Sequence, residues 1–100
     1  MPIRSLSPSE AHARQRAGAR LIDIRGEGER ALGMADAAHG LAREVLEAEP
    51  ERHLPDRDAE ILLLCQRGLR SRQVAEFLAG QGYRNLASVE GGTEAWQAAS

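Results

Sequence analysis

The chain offers a single thiol, Cys65, and so cannot close an intramolecular disulfide. It has no surplus of positive charge either: 13 basic residues face 15 acidic ones, and a net charge of −2 gives no overall field to draw in nucleic acid or an anionic membrane. Long apolar runs are missing. The longest is the five residues Ile61 to Cys65, against the roughly 20 needed to cross a bilayer. The opening residues Met1 to Ser5 lack the apolar stretch of a secretory signal. One cysteine with the widely separated His12, His39 and His53 makes no set of ligands at metal-site spacing, so neither a metal nor a cofactor is expected. Together these absences point to a soluble protein of the reducing cytoplasm, with no nucleic acid and no membrane among its partners.

What is present is ordinary globular composition. Apolar residues are 42% of the chain and charged residues 28%, too apolar for intrinsic disorder, and 100 residues suffice for one core. Residues 1–100 are therefore read as one domain. Ser7-Pro8-Ser9-Glu10 predicts a capped helix over Pro8 to Ala17, with Gly18 as its stop and alanines as its only apolar face. Leu21 to Ile24 reads as a strand, and Ile3 to Leu6 as a short edge strand before it. Arg25 to Ala38, interrupted by three glycines, reads as a loop with one helical turn. Leu41, Val45 and Leu46 fall at helical spacing, which predicts a short helix over Leu41 to Glu49, stopped by Pro50. Glu51 to Glu60 reads as a solvated connection.

Ile61 to Leu64 is continuously apolar, as expected of a strand covered by helices on both faces. Ser71 to Leu78 predicts a helix with Val74, Phe77 and Leu78 inward, ended by Gly80 or Gly82. Leu86 to Val89 is a further strand, Gly91-Gly92 a tight turn, and Thr93 to Ala99 a last helix with Trp96 inward. Strands alternating with helices predict an α/β fold with right-handed crossovers and a mostly parallel sheet.

The stretch most informative about function is Cys65-Gln66-Arg67-Gly68-Leu69-Arg70-Ser71, which leaves the central strand and enters a helix. Ligand sites of open α/β sheets lie beyond the carboxyl ends of their strands. A short loop there can turn successive backbone N–H groups onto the sulfur, above the positive end of the next helix, and Gly68 permits the turn. Arg67 and Arg70 add two cations, and a thiolate in such surroundings has a lowered pKa. A lone cysteine after an aliphatic strand is usually a small core residue. Five polar, charged or glycine residues among the next six positions weigh against that here. Arg25, at the end of a neighbouring strand, can face the same pocket.

Three motifs in order resemble the rhodanese homology domain. Cys65-Gln66-Arg67-Gly68-Leu69-Arg70-Ser71 is similar to its Cys-x-x-Gly-x-x-Ser loop, Leu21-Ile22-Asp23-Ile24-Arg25 with Glu29 to its strand ending in Asp-x-Arg, and Val89-Glu90-Gly91-Gly92 with Trp96 to its closing Gly-Gly turn and tryptophan. The resemblance implies a five-stranded parallel sheet between two layers of helices. It also implies a thiosulfate sulfurtransferase in which Cys65 carries a sulfane sulfur as a persulfide, passed from a small donor to a thiol or cyanide-like acceptor. Gln66, Arg67, Gly68, Leu69, Arg70 and Ser71 would then form the substrate and persulfide cradle. The family's Gly-His-Ile-Pro-Gly-Ala is replaced here by Gly33-Met34-Ala35-Asp36-Ala37-Ala38. The Gly-x-Arg-Ser ending of the loop is similar to rhodanese domains joined to the adenylylating enzymes that activate sulfur-carrier proteins. That likeness implies a sulfur-carrier protein or an adenylyltransferase as partner.

A phosphatase or arsenate reductase loop places its arginine six positions after the cysteine; here Arg70 is five after and Arg72 seven, so an oxyanion enzyme is the minor alternative. A docking or regulatory module without chemistry is the other. Gly26-Glu27-Gly28-Glu29-Arg30-Ala31 spells a dinucleotide fingerprint, but two glutamates would repel a pyrophosphate. Asp23 is expected to cap a loop or pair with an arginine, Trp96 to lie in the core, and Arg72 to face solvent or a salt bridge.

Overall fold

Five strands, Arg4–Leu6 (β1), Arg20–Asp23 (β2), His39–Gly40 (β3), Ile61–Leu64 (β4) and Leu86–Val89 (β5), form one sheet in the order β1-β5-β4-β2-β3. Every ladder in it is parallel. Parallel neighbours need crossovers, and helices supply them: Pro8–Arg16 (α1), Glu27–Arg30 (α2), Arg43–Ala48 (α3), Pro50–His53 (α4), Leu69–Gly80 (α5) and Gly92–Ala99 (α6). The computed structural model describes residues 3–36 and 38–99. Ala37, within the segment that departs from the family pattern, lies outside the described residues. No helix among them is long and apolar enough to cross a membrane.

The apolar run of β4 sorts its side chains by the two-residue period of a strand. Ile61, Leu63 and Cys65 join a core with Ile22, Leu46, Leu54, Val74 and Leu78 on the α3 and α5 side. Leu62 and Leu64 join Ala11, Leu21, Ala87, Val89 and Trp96 on the α1 and α6 side. Both faces are covered, which is why the strand alternates in direction but not in polarity. The same period hands Cys65 to the α5 face, where its loop returns.

The N-terminal capping box forms as expected. The Ser7 hydroxyl accepts from the Glu10 amide at 3.1 Å, and the Glu10 carboxylate accepts from the Ser7 amide at 2.9 Å. The single turn expected after Arg25 is α2.

Elsewhere the structure corrects the sequence reading. The helix expected from Leu41 starts at Arg43, because the amides of Leu41 and Arg43 donate to the carbonyls of Asp23 and Ile24 and hold the chain extended alongside β2. Val45, expected inward, is 48% exposed, and Leu46 alone fills the core position. Pro50 ends α3 and also opens α4, since the first position of a helix needs no N–H. The supposedly solvated connection after it buries Leu54, whose carbonyl accepts from the Tyr83 hydroxyl. On α5 the inward positions are Ser71, Val74, Ala75 and Leu78, and Phe77 is 36% exposed. α5 also begins two residues early, at Leu69, which places Arg70 and Ser71 in its first turn. β3, only two residues long, has no period to be read.

Ser7→Ala removes one half of the capping box and should lower stability by about 1 kcal/mol. A urea denaturation midpoint, with an unchanged slope, checks this.

Candidate active site

Cys65 follows the last residue of β4, and its sulfur is turned back toward its own loop. The Gly68 amide donates to Sγ at 3.0 Å and the Ser71 amide at 3.3 Å. Two features of the sequence make this curl. Gly68 has φ +101°, a left-handed angle that a side chain resists, and it sits at the N-cap of α5. The first amides of that 12-residue helix have no partner within it, and no acidic side chain stands in its first turn to neutralise its positive end.

A second turn clamps the loop from the other side. Gly91 and Gly92 take φ of +71° and +60° and bring the start of α6 beneath the loop. There the Thr93 amide donates to the Cys65 carbonyl at 2.7 Å, and the Glu94 amide to the Gln66 carbonyl at 3.4 Å. The approach is so close that a Cβ on Gly92 would collide with the Cys65 carbonyl oxygen and the Gln66 backbone.

Behind the sulfur lie two buried hydroxyls. The Ser71 Oγ is 3.5 Å from Sγ and 2.7 Å from the Ser88 Oγ, with the Gly68 carbonyl as a further acceptor at 3.2 Å. When the sulfur is a thiolate, Ser71 can donate to it while accepting from Ser88. Sequence reasoning missed Ser88. The available signal was its register: it shares the α5-facing side of β5 with Leu86, where a hydroxyl needs a partner.

Burial pushes the Cys65 thiol up, but the Ser71 hydroxyl and the amides of Ser71, Gly68 and Arg67 outweigh it, so the thiol sits below its ordinary 9.0. Both arginines of the loop are paired with carboxylates. The Arg67 guanidinium is 81% exposed and reaches Glu94 at 3.2 Å. Arg70 is engaged by Glu29 through two contacts of 2.7 Å, an arrangement that holds the Glu29 carboxyl down at about 2. The Ser71 hydroxyl and the loop amides do most to depress the thiol, and Arg70, though paired with Glu29, still interacts favourably with its charge.

Arg25 is buried and does not line the depression at the sulfur. It forks onto Asp23, with Nε 3.0 Å from Oδ1 and Nη2 2.8 Å from Oδ2. Its other N–H groups reach the Gln66 Oε1 at 2.9 Å and the Gly33 carbonyl at 2.6 Å. Asp23 thus plays the pairing role expected of it, and Arg25 braces the first residue of the loop through Gln66. The depression, of ≈ 370 Å³, is lined by Glu29, Cys65, Gln66, Arg67, Leu69 and Arg70, so four of the six predicted cradle residues meet there, while Gly68 and Ser71 act on the sulfur from behind. Leu69 is an exposed apolar rim, and Arg72 is exposed. Trp96 lies in the core and His12 stacks on it at 3.8 Å. A larger groove of ≈ 670 Å³, between the end of α5 and the starts of β1 and β5, is lined by no cysteine and lies at the opposite end of the sheet.

Residues 7–99 match the family described as Rhodanese-like domain. Thiosulfate sulfurtransferase GlpE of Haemophilus influenzae is 35% identical over 96 residues, covering 96% of this chain and 90% of the relative. A rhodanese-related protein from Thermoplasma volcanium superposes with a TM-score of 0.83 at 27% identity, covering 97% of this chain and 93% of its own. A thiosulfate sulfurtransferase from Pseudomonas aeruginosa superposes with a TM-score of 0.85 at 26% identity, covering 97% of this chain but 19% of the larger one.

Two substitutions probe the cradle. Gly92→Ala should cost about 3 kcal/mol through overpacking and a strained backbone angle, seen as a lower urea midpoint. Ser88→Ala should raise the thiol pKa and slow alkylation of Cys65 by iodoacetamide at neutral pH by about threefold, the worth of one modest hydrogen bond. An alkylation rate against pH, fitted for wild type and variant, reads both effects.

Proposed function

Because this chain belongs to the rhodanese-like domain family, we propose that it is a thiosulfate sulfurtransferase-type enzyme that carries a sulfane sulfur on Cys65. The observation that supports this most is the pair of amides, from Gly68 and Ser71, aimed at Sγ within 3.3 Å at the mouth of the sheet. A thiolate so held is both stabilised and directed toward the depression.

The Cys65 thiolate attacks the outer sulfur of thiosulfate. A new S–S bond forms, the S–S bond of the donor breaks, and sulfite leaves with the bonding pair. Cys65 is left as a persulfide anion, whose charge falls among the amides of the loop and the first turn of α5. An acceptor thiolate or cyanide then attacks the terminal sulfur, takes it as a persulfide or thiocyanate, and returns the Cys65 thiolate. Every step exchanges one attacking anion for one departing anion, so one unchanging set of donors serves both halves of the cycle. No external acid or base is required.

The acceptor is proposed to be a small thiol or a sulfur-carrier protein, including one delivered by an adenylyltransferase, in a reducing cytoplasm that keeps a lone thiol free. The oxyanion alternative has less support, because Arg70, five positions after Cys65, is bound to Glu29.

Wild-type protein incubated with thiosulfate should gain the mass of one sulfur atom, and Cys65→Ala should gain none. A mass gain by neither protein would instead favour a docking module, and hydrolysis of an aryl phosphate would favour the oxyanion enzyme.

A further inference from the structure

Three arginines surround Cys65 and each faces a carboxylate: Arg25 meets Asp23, Arg70 meets Glu29, and Arg67 meets Glu94. Three positive charges are thus matched by three negative ones, and none is left over for an anionic donor. The pairs are not equivalent. Arg25–Asp23 is buried and committed to the scaffold. Arg67–Glu94 is a single contact between exposed side chains. Glu29–Arg70 alone is both doubly hydrogen-bonded and, with side chains 40% and 39% exposed, part of the wall of the depression at Cys65.

Glu29 occupies the third position of α2, and both of its carboxylate oxygens are engaged by Arg70 at 2.7 Å. This fork fixes the negative charge in the wall of the depression. A dianion reaching Cys65 must compete with Glu29 for Arg70 or pass a fixed carboxylate, whereas a monoanion meets about half that repulsion.

We propose that Glu29 is a specificity-determining residue for donor charge, holding Arg70 so that monoanionic sulfane donors are favoured over dianionic ones. This rests on the sulfurtransferase reading above. The two donor classes undergo the same balanced reaction at Cys65: thiosulfate loses sulfite, and methanethiosulfonate anion loses methanesulfinate, each leaving group departing with the electron pair of the broken S–S bond. They differ in the charge brought past Glu29.

The test measures kcat/KM for thiosulfate and for methanethiosulfonate, with cyanide as the fixed acceptor and thiocyanate as the product read. In a two-step transfer this parameter reports the donor half-reaction. Glu29→Gln keeps the shape but removes the charge that holds Arg70. It should raise kcat/KM for thiosulfate about fivefold, as expected for a partly exposed ion pair, and change that for methanethiosulfonate less than twofold. Adding Arg70→Gln should return the ratio of the two donors to within twofold of wild type. Glu29→Ala, with folding checked by thermal unfolding, should move the ratio in the same direction and serves if the glutamine variant does not fold. A ratio that stays put while wild type turns over both donors refutes the role of Glu29 and leaves sulfur transfer standing. Absence of thiocyanate from wild type with either donor refutes sulfur transfer itself, and this role with it.

Discussion

Two backbone amides converge on one sulfur atom, and much of the chain serves to keep them there. Gly68 and Ser71 can aim at Sγ only because the loop between them turns through a left-handed angle and α5 starts at once behind it. That turn would relax if its first residues were free. They are not free: α6 grips the carbonyls of Cys65 and Gln66 from below, and Arg25 holds the Gln66 side chain from the β2 side. Two elements distant in sequence therefore converge with α5 on a loop of six residues. Order imposed in this way costs conformational entropy during folding rather than during the encounter with a ligand, which is the general basis of electrostatic preorganisation.

The charges around the loop follow a different logic from the one their number suggests. Arginines near a thiol look like counterions for it, yet each is spoken for by a carboxylate from another element: Asp23 on β2, Glu29 on α2 and Glu94 on α6. The buried pair is geometric in function, since a guanidinium with five N–H groups can bind Asp23, Gln66 and Gly33 together and so lock the ends of two strands. What lowers the thiol pKa most is dipolar: amides and a hydroxyl that keep their orientation whatever the ionic strength. Salt would weaken surface ion pairs here before it weakened the hold on sulfur.

Much of this was legible in the sequence where a local rule decides the outcome. The capping box at Ser7, the doubly covered strand at Ile61 and the glycine-bearing loop after Cys65 each follow from residue chemistry and spacing alone. Reading failed where tertiary contacts override a pattern. The apolar residues at Leu41, Val45 and Leu46 have helical spacing, but the carbonyls of Asp23 and Ile24 claim the amides of Leu41 and Arg43 first. β3 exists only as a partner for β2 and has too few residues to carry a period. The pairing of Arg70 with Glu29 joins positions 41 residues apart, and nothing local distinguishes a committed guanidinium from an available one. Ser88 is small and polar in a strand, and its importance lies in what stands opposite it.

The sulfur of Cys65 sits behind its own loop, in a residue only 1% exposed. Joining two copies of this chain through a disulfide would require their Cβ atoms to come within about 3.8 Å, so a residue this buried would need its loop to open first. No second thiol exists within the chain to form one internally. The seat that surrounds this sulfur with backbone donors thus also stands between it and oxidative cross-linking.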